Sequence, residues 1–333
     1  TSTLRATLDD VDGLGFDSRD VPYLTLLRAH SLLSVAIADS DGTLGVITAV
    51  RAQPRPPFSL TDQAALEEIG DLLGMSLRRH RRSVADPAGL IRAPAPFVPL
   101  SLPVTPALDV AWGHHDSADA GATPIAIAPF FDYYDTPGGW GIVLGSAEGY
   151  NPDHQAYVAM IRQWARLVGS NGQLCSDVLA QLDAALRRLH RGQPEVSAVV
   201  VDLRPKQDTV RVRLCSAGHR TSLVLRADGR VQRTDGGGKP LNDGPGPQLH
   251  EDAELLAPGD TLLLYSNEFA EITNVQGDTL LGSGELAAAL ARGAGRSARA
   301  VLDGVHAAAT AFTAGGSGGN SVVVAVRCTG RPR

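Results

Sequence analysis

Six prolines fall between Pro87 and Pro106, in "DPAGLIRAPAPFVPLSLPVTPALDV". No other stretch restricts the fold as much. Proline fixes its own φ and lacks the backbone N–H, so a helix cannot run through such a segment and a central strand cannot form in it. The expected result is an extended connection, with separate structure on either side. A chain of 333 residues is long enough for two cores. The boundaries expected here are a first domain over 1–85, a proline-rich linker over 86–107 and a second domain over 108–330.

On the N-terminal side, "SLLSVAIADSDGTLGVITAV" reads as two β-runs around the turn pair Asp41-Gly42. Then "PFSLTDQAALEEIGDLLGMSLRRHRR" places Leu66, Ile69, Leu72, Leu73 and Leu77 three and four apart, the period of an amphipathic helix. Ser59 or Thr61 can cap it, and the closing cations suit a helix C-terminus. The helix at 61–82 also offers a short seam for a homodimer.

Beyond the prolines, strands and helices alternate. "DHQAYVAMIRQWARLVG" carries Tyr157, Met160, Ile161, Trp164 and Val168 on one helical face. "VSAVVVDLR", "TVRVRLCSAG", "TSLVLRADGRVQRT" and "DTLLLYSN" read as strands, and two alanine-rich helices are expected at 285–291 and 298–312. "NSVVVAVRC" closes the chain as a buried strand.

Composition excludes several classes. The net charge of −6 gives no reason to expect nucleic acid or an anionic membrane as a partner. No apolar run approaches the ~18 residues of a membrane span, and no leader peptide is expected. Three widely spaced cysteines, Cys175, Cys215 and Cys328, argue against a disulfide framework and for a reducing cytoplasm. "GGGK" at 236–239 lacks the rest of a phosphate-binding loop. His114 and His115 point apart on a strand, with no third ligand suitably spaced. His219 reads as loop architecture.

Three phrases carry a resemblance: "WGIVLGSAEGY", "SAGHRTSLVLRADGRVQRTDGGGKPL" and "LAPGDTLLLYSNEFAEITN". Residues 108–328 resemble the SpoIIE/RsbU-type branch of the PPM metal-dependent serine/threonine phosphatases. Residues 1–85 are similar to the later half of a GAF domain, a module that precedes such phosphatase domains in many bacterial regulators. The resemblance implies an α+β fold, a GAF-like domain followed by an α/β/β/α sandwich of two mainly antiparallel sheets. It also implies Mg²⁺ or Mn²⁺ ions held between the sheets by carboxylates from four short motifs. Hard divalent ions prefer oxygen ligands, and two close ions need several negative charges.

At those four places the chain has Pro129, Ser146, Asn267, and Gly318 with Gly319. None is an acid. The acids nearest in sequence are Glu148, Glu268 and Asp132. Asp132, three residues from Pro129, faces the opposite side of a regular strand. Glu268 points away if its strand continues, and Glu148 is expected within a loop. The sequence therefore reads as a pseudophosphatase. It is expected not to be an enzyme, to have no catalytic residues and no metal, to need no cofactor, and to act as a regulatory or adaptor protein. The resemblance implies protein partners of the anti-sigma factor antagonist or anti-sigma kinase type. Two alternatives stand beside this reading: an Mn²⁺- or Mg²⁺-dependent serine phosphatase with displaced ligands, and a small-molecule sensor built on the GAF segment.

Overall fold

The computed structural model describes residues 3–7, 29–39, 42–52 and most of 54–73. It also describes 105–115, 127–148, 152–189, 195–244, 249–314 and 320–330, with a few isolated positions besides. The chain divides into two compact units, Thr1–Ile91 and Arg92–Arg333.

In the first unit, β1 (Thr3–Thr7), β2 (Ala29–Asp39) and β3 (Gly42–Ala52) form an antiparallel sheet in that order. The expected hairpin is there, with Asp39 opposite Gly42. Helical residues follow at 60–64. Their start is fixed by a reciprocal cap: the Asp62 N–H donates to Ser59 Oγ at 3.1 Å, and the Ser59 N–H donates back to Asp62 Oδ2 at 2.7 Å. Ser59, not Thr61, is thus the capping residue. Arg51 pairs with Asp62 at 2.7 Å and lies 4.2 Å over the Phe58 ring, which fastens this turn to β3. A three-stranded sheet with a helical turn is not specific to GAF domains.

The second unit holds two five-stranded sheets, antiparallel throughout. Its strands in chain order are β4 (Leu108–His115), β5 (Ile127–Thr136), β6 (Gly139–Glu148), β7 (Val196–Lys206), β8 (Thr209–Ala217), β9 (Leu223–Leu225), β10 (Val231–Arg233), β11 (Glu251–Leu256), β12 (Thr261–Tyr265) and β13 (Ser321–Cys328). The first sheet has the order β11-β8-β7-β6-β5 and the second β10-β9-β12-β13-β4. Helices α1 (Pro152–Gly169) and α2 (Cys175–Leu189) pack on the first sheet. Helices α4 (Glu285–Ala291) and α5 (Ala298–Phe312) pack on the second, and the single turn α3 (Asn267–Ala270) leads away from β12.

Alternation along each strand sorts side chains between layers. On β6, Val143 and Ala147 face the α1–α2 layer, while Ile142 and Leu144 face the opposite sheet. Phe131, Tyr133, Val199, Val201, Leu262, Leu264, Val322 and Val324 complete that inter-sheet core. Leu263, Tyr265, Val323 and Ala325 turn outward to α4 and α5. The result is the expected α/β/β/α sandwich, stabilised by roughly 1.5–3 kcal/mol for each large apolar side chain removed from water. Val98 and Leu102, from the proline-rich stretch, pack against the same inter-sheet core. Among the described residues no helix is long and apolar enough to cross a membrane.

Candidate functional site

One end of the inter-sheet core is polar. On the first sheet, Pro129, Ser146 and Ser197 lie side by side in the ladder, Pro129 opposite Ser146 and Ser146 opposite Ser197. By the period of two they continue the inward faces of Phe131, Leu144 and Val199. Pro129 is tolerated because β5 is an edge strand. On the second sheet the same end carries His114, which bonds through Nε2 to Asn320 Oδ1, and Ser266, whose Oγ accepts from the Val322 N–H at 3.2 Å.

Strand β12 stops at Tyr265 and α3 begins at Asn267. That changes the direction of the next two side chains. A strand would turn them to opposite faces, whereas a helix advances by about 100° per residue. Glu268 therefore points inward, contrary to the expectation that it points away. Its Oε1 accepts from Ser146 Oγ at 2.8 Å, and Ser146 Oγ lies 2.9 Å from Ser197 Oγ. The second carboxylate oxygen of Glu268 is buried without a partner. Burial raises the pKa of this carboxyl above the usual range, against the lowering effect of its hydrogen bonds.

Asn267 is used at both ends. Its Oδ1 accepts from the Arg220 N–H at 2.8 Å, and its Nδ2 donates to the Gly218 carbonyl at 2.9 Å. It pins the loop that leaves β8. Next to it His219 is buried, its Nδ1 3.0 Å from the Arg220 carbonyl and its Nε2 without a partner.

The remaining predicted positions are placed as follows. Asp132 lies on the helix side of β5, buried between Arg166 at 3.3 Å and Arg162 at 3.9 Å, away from the row of Pro129 and Ser146. Burial raises its pKa and the two arginines oppose the rise. Glu148 is the last residue of β6, opposite Ile127, rather than a loop residue. Gly318 and Gly319 lie outside the described residues. His115 turns to the other face from His114 and packs its ring 5.7 Å from those of Phe269 and His306. Ser197 was not foreseen. Its signal was a lone serine on the inward phase of an otherwise apolar strand, "VSAVVV".

The donor set does not fit a pair of Mg²⁺ or Mn²⁺ ions. Proline offers no ligand, the Asn267 amide is committed to backbone, and Ser146 already donates to Glu268, the one carboxylate seen to face inward among the described residues. Among the described residues, no three His, Cys, Asp or Glu side chains are placed to hold a metal.

Residues 136–328 match the family described as stage II sporulation protein E (SpoIIE). No curated protein matches the chain in sequence. Among solved structures, the chain is similar to the RsbU and RsbW domains of Rv1364c from Mycobacterium tuberculosis, with TM-score 0.56 and 22% identity over 73% of this chain and 64% of that one. It is also similar to the PP2C phosphatase domain and regulatory fragment of SpoIIE from Bacillus subtilis, with TM-score 0.52 and 13% identity over 68% and 66%. A third is the SiaA-PP2C domain of Pseudomonas aeruginosa, with TM-score 0.52 and 18% identity over 79% and 97%. The chain thus spans less than two thirds of the length of the first two. At these identities the likeness is one of fold.

These matches overturn the expectation that the chain is not an enzyme, since the family and the folds it resembles are those of PP2C-type phosphatases. The neutral side chains at Pro129, Ser146 and Asn267 bear on one expected pair of cations. They do not by themselves remove a chain from an enzyme family.

Proposed function

The chain belongs to the SpoIIE family of PPM-type phosphatase domains, and from that premise we propose that it is a regulatory protein that recognises a protein partner of the anti-sigma factor antagonist or anti-sigma kinase type. The family match over residues 136–328 carries this reading. The site adds to it. Ser146, Glu268 and Asn267 are bonded to one another or to nearby backbone, so recognition falls to the surface around the cleft. Recognition surfaces of stable complexes are far wider than a single ion site, commonly about 800 Å² on each partner. Three free, buried thiols fit action in a reducing cytoplasm. For residues 1–85 the GAF-like reading is retained as part of the proposal; it rests on the sequence resemblance, and the hairpin and the Ser59 cap agree with it without being specific to it.

The test is calorimetric titration of the full chain, in EDTA, with a serine-phosphorylated anti-sigma factor antagonist and with an anti-sigma kinase from the same organism. Micromolar or tighter binding to one of them is expected. Absence of binding to both sinks the proposal.

A further inference from the structure

We propose that the polar end of the sandwich is a clasp made of the protein's own polar groups, which ties the two sheets together where the family's fold expects divalent cations. Two links form it. Ser146 of β6 in the first sheet donates to Glu268, just past β12 of the second, at 2.8 Å. The neighbouring Asn267 holds Gly218 and Arg220, in the loop that leaves β8 of the first sheet, at 2.9 and 2.8 Å.

The chemistry of the two replacements interlocks. An amide both donates and accepts, and Asn267 uses each capacity toward a different backbone group. A carboxylate there could still accept from the Arg220 N–H but would set a lone pair against the Gly218 carbonyl. At Ser146 the hydroxyl donates a hydrogen bond to Glu268. An aspartate there would press a second carboxylate against the first, which costs free energy unless a cation is shared between them.

One feature favours an ion: Glu268 Oε2 is buried without a partner. A single carboxylate beside neutral hydroxyls falls short of the charge that hard divalent ions require. The bonds of the clasp form without a cation, and they do not depend on which partner the protein binds.

Thermal unfolding of the full chain, first in EDTA and then in millimolar MnCl₂, tests this. The expected midpoint is the same in both. Ser146→Ala and Glu268→Ala should each lower it by a few degrees. The double variant should be no less stable than the worse single, because both changes delete one bond. Ser146→Asp should be destabilised in EDTA and recover in Mn²⁺. Should that variant not fold at all, the alanine pair still decides. A wild-type midpoint that climbs with Mn²⁺ and stops climbing in Glu268→Ala overturns the proposal, as do fully additive losses in the double variant.

Discussion

Gly145→Ala is expected to lower the unfolding midpoint of the second unit by roughly 10 °C, the equivalent of about 3 kcal/mol in a unit of this size. Gly145 sits in β6, directly before Ser146. A methyl group there would lie 2.1 Å from the Ser197 carbonyl oxygen, 2.8 Å from Phe130 Cζ and 3.0 Å from Ala198 Cα. Two of these three neighbours are backbone, so no rotamer change relieves the clash. Strand β7 itself must move, and with it the Ser146–Ser197 contact. Gly304, inside α5, is the control. A methyl there meets nothing within 4 Å, and Gly304→Ala should stabilise by up to about 1 kcal/mol through helix propensity. Circular-dichroism melts of the two variants beside wild type measure both effects. Equal midpoints for Gly145→Ala and wild type would show that β6 and β7 are less closely packed than described.

Acidification is the second large effect, and it comes through His219. Burial pushes this imidazole from the ordinary 6.5 down to about 4, while its hydrogen bond to the Arg220 carbonyl works weakly the other way. Between those values the unfolded chain takes up a proton that the folded chain refuses. Stability contributed by the neutral ring is therefore present above pH 6.5, declines as the pH falls, and is gone below pH 4. At 1.36 kcal/mol per pKa unit, the loss is about 3 kcal/mol. His306 shifts in the same direction, to about 4, by burial first and by the nearby His115 second. Denaturant melts from pH 7 to 4 should show a shallower fall for His219→Gln than for wild type. Parallel curves would place the acid sensitivity in His306 or the carboxylates instead.

Most of the sandwich was legible because its strands bury one or both faces. Period two marks them, and the turn pairs at Gly138 and Gly229 separate them, each glycine holding a positive φ. The helix of residues 152–169 followed from its apolar face, of which Tyr157, Ile161 and Val168 are buried and Met160 and Trp164 partly so. Besides the single turn α3, helix α2 and strand β11 were not read. Helix α2 hides Val178, Leu179, Leu182 and Leu186 among alanines, arginines and acids, although their spacing is helical. Strand β11, "EDAELL", is a mostly polar sheet edge with little periodicity to find.

At the site, the neutral residues Pro129, Ser146 and Asn267 were plain in the sequence, but the contacts they make were not. The direction of Glu268 depends on whether one residue continues a strand or opens a helix. That was decided by the Ser266 hydroxyl, which bonds the β13 backbone at Val322. Asp132 shows the opposite case. Its partners Arg162 and Arg166 lie one turn apart on α1, and the period of β5 already placed it on that helix's side. Period two therefore fixes a side chain inside a strand, and fails at the residue where the strand ends.

The bond between Ser146 and Glu268 joins positions 122 residues apart. Closing so long a loop costs chain entropy that one hydrogen bond repays only after both sheets exist. It is therefore expected to form late, after the rate-limiting barrier. Loosening it by Ser146→Ala should then leave the speed of refolding nearly unchanged and quicken unfolding, which stopped-flow refolding and unfolding rates measure.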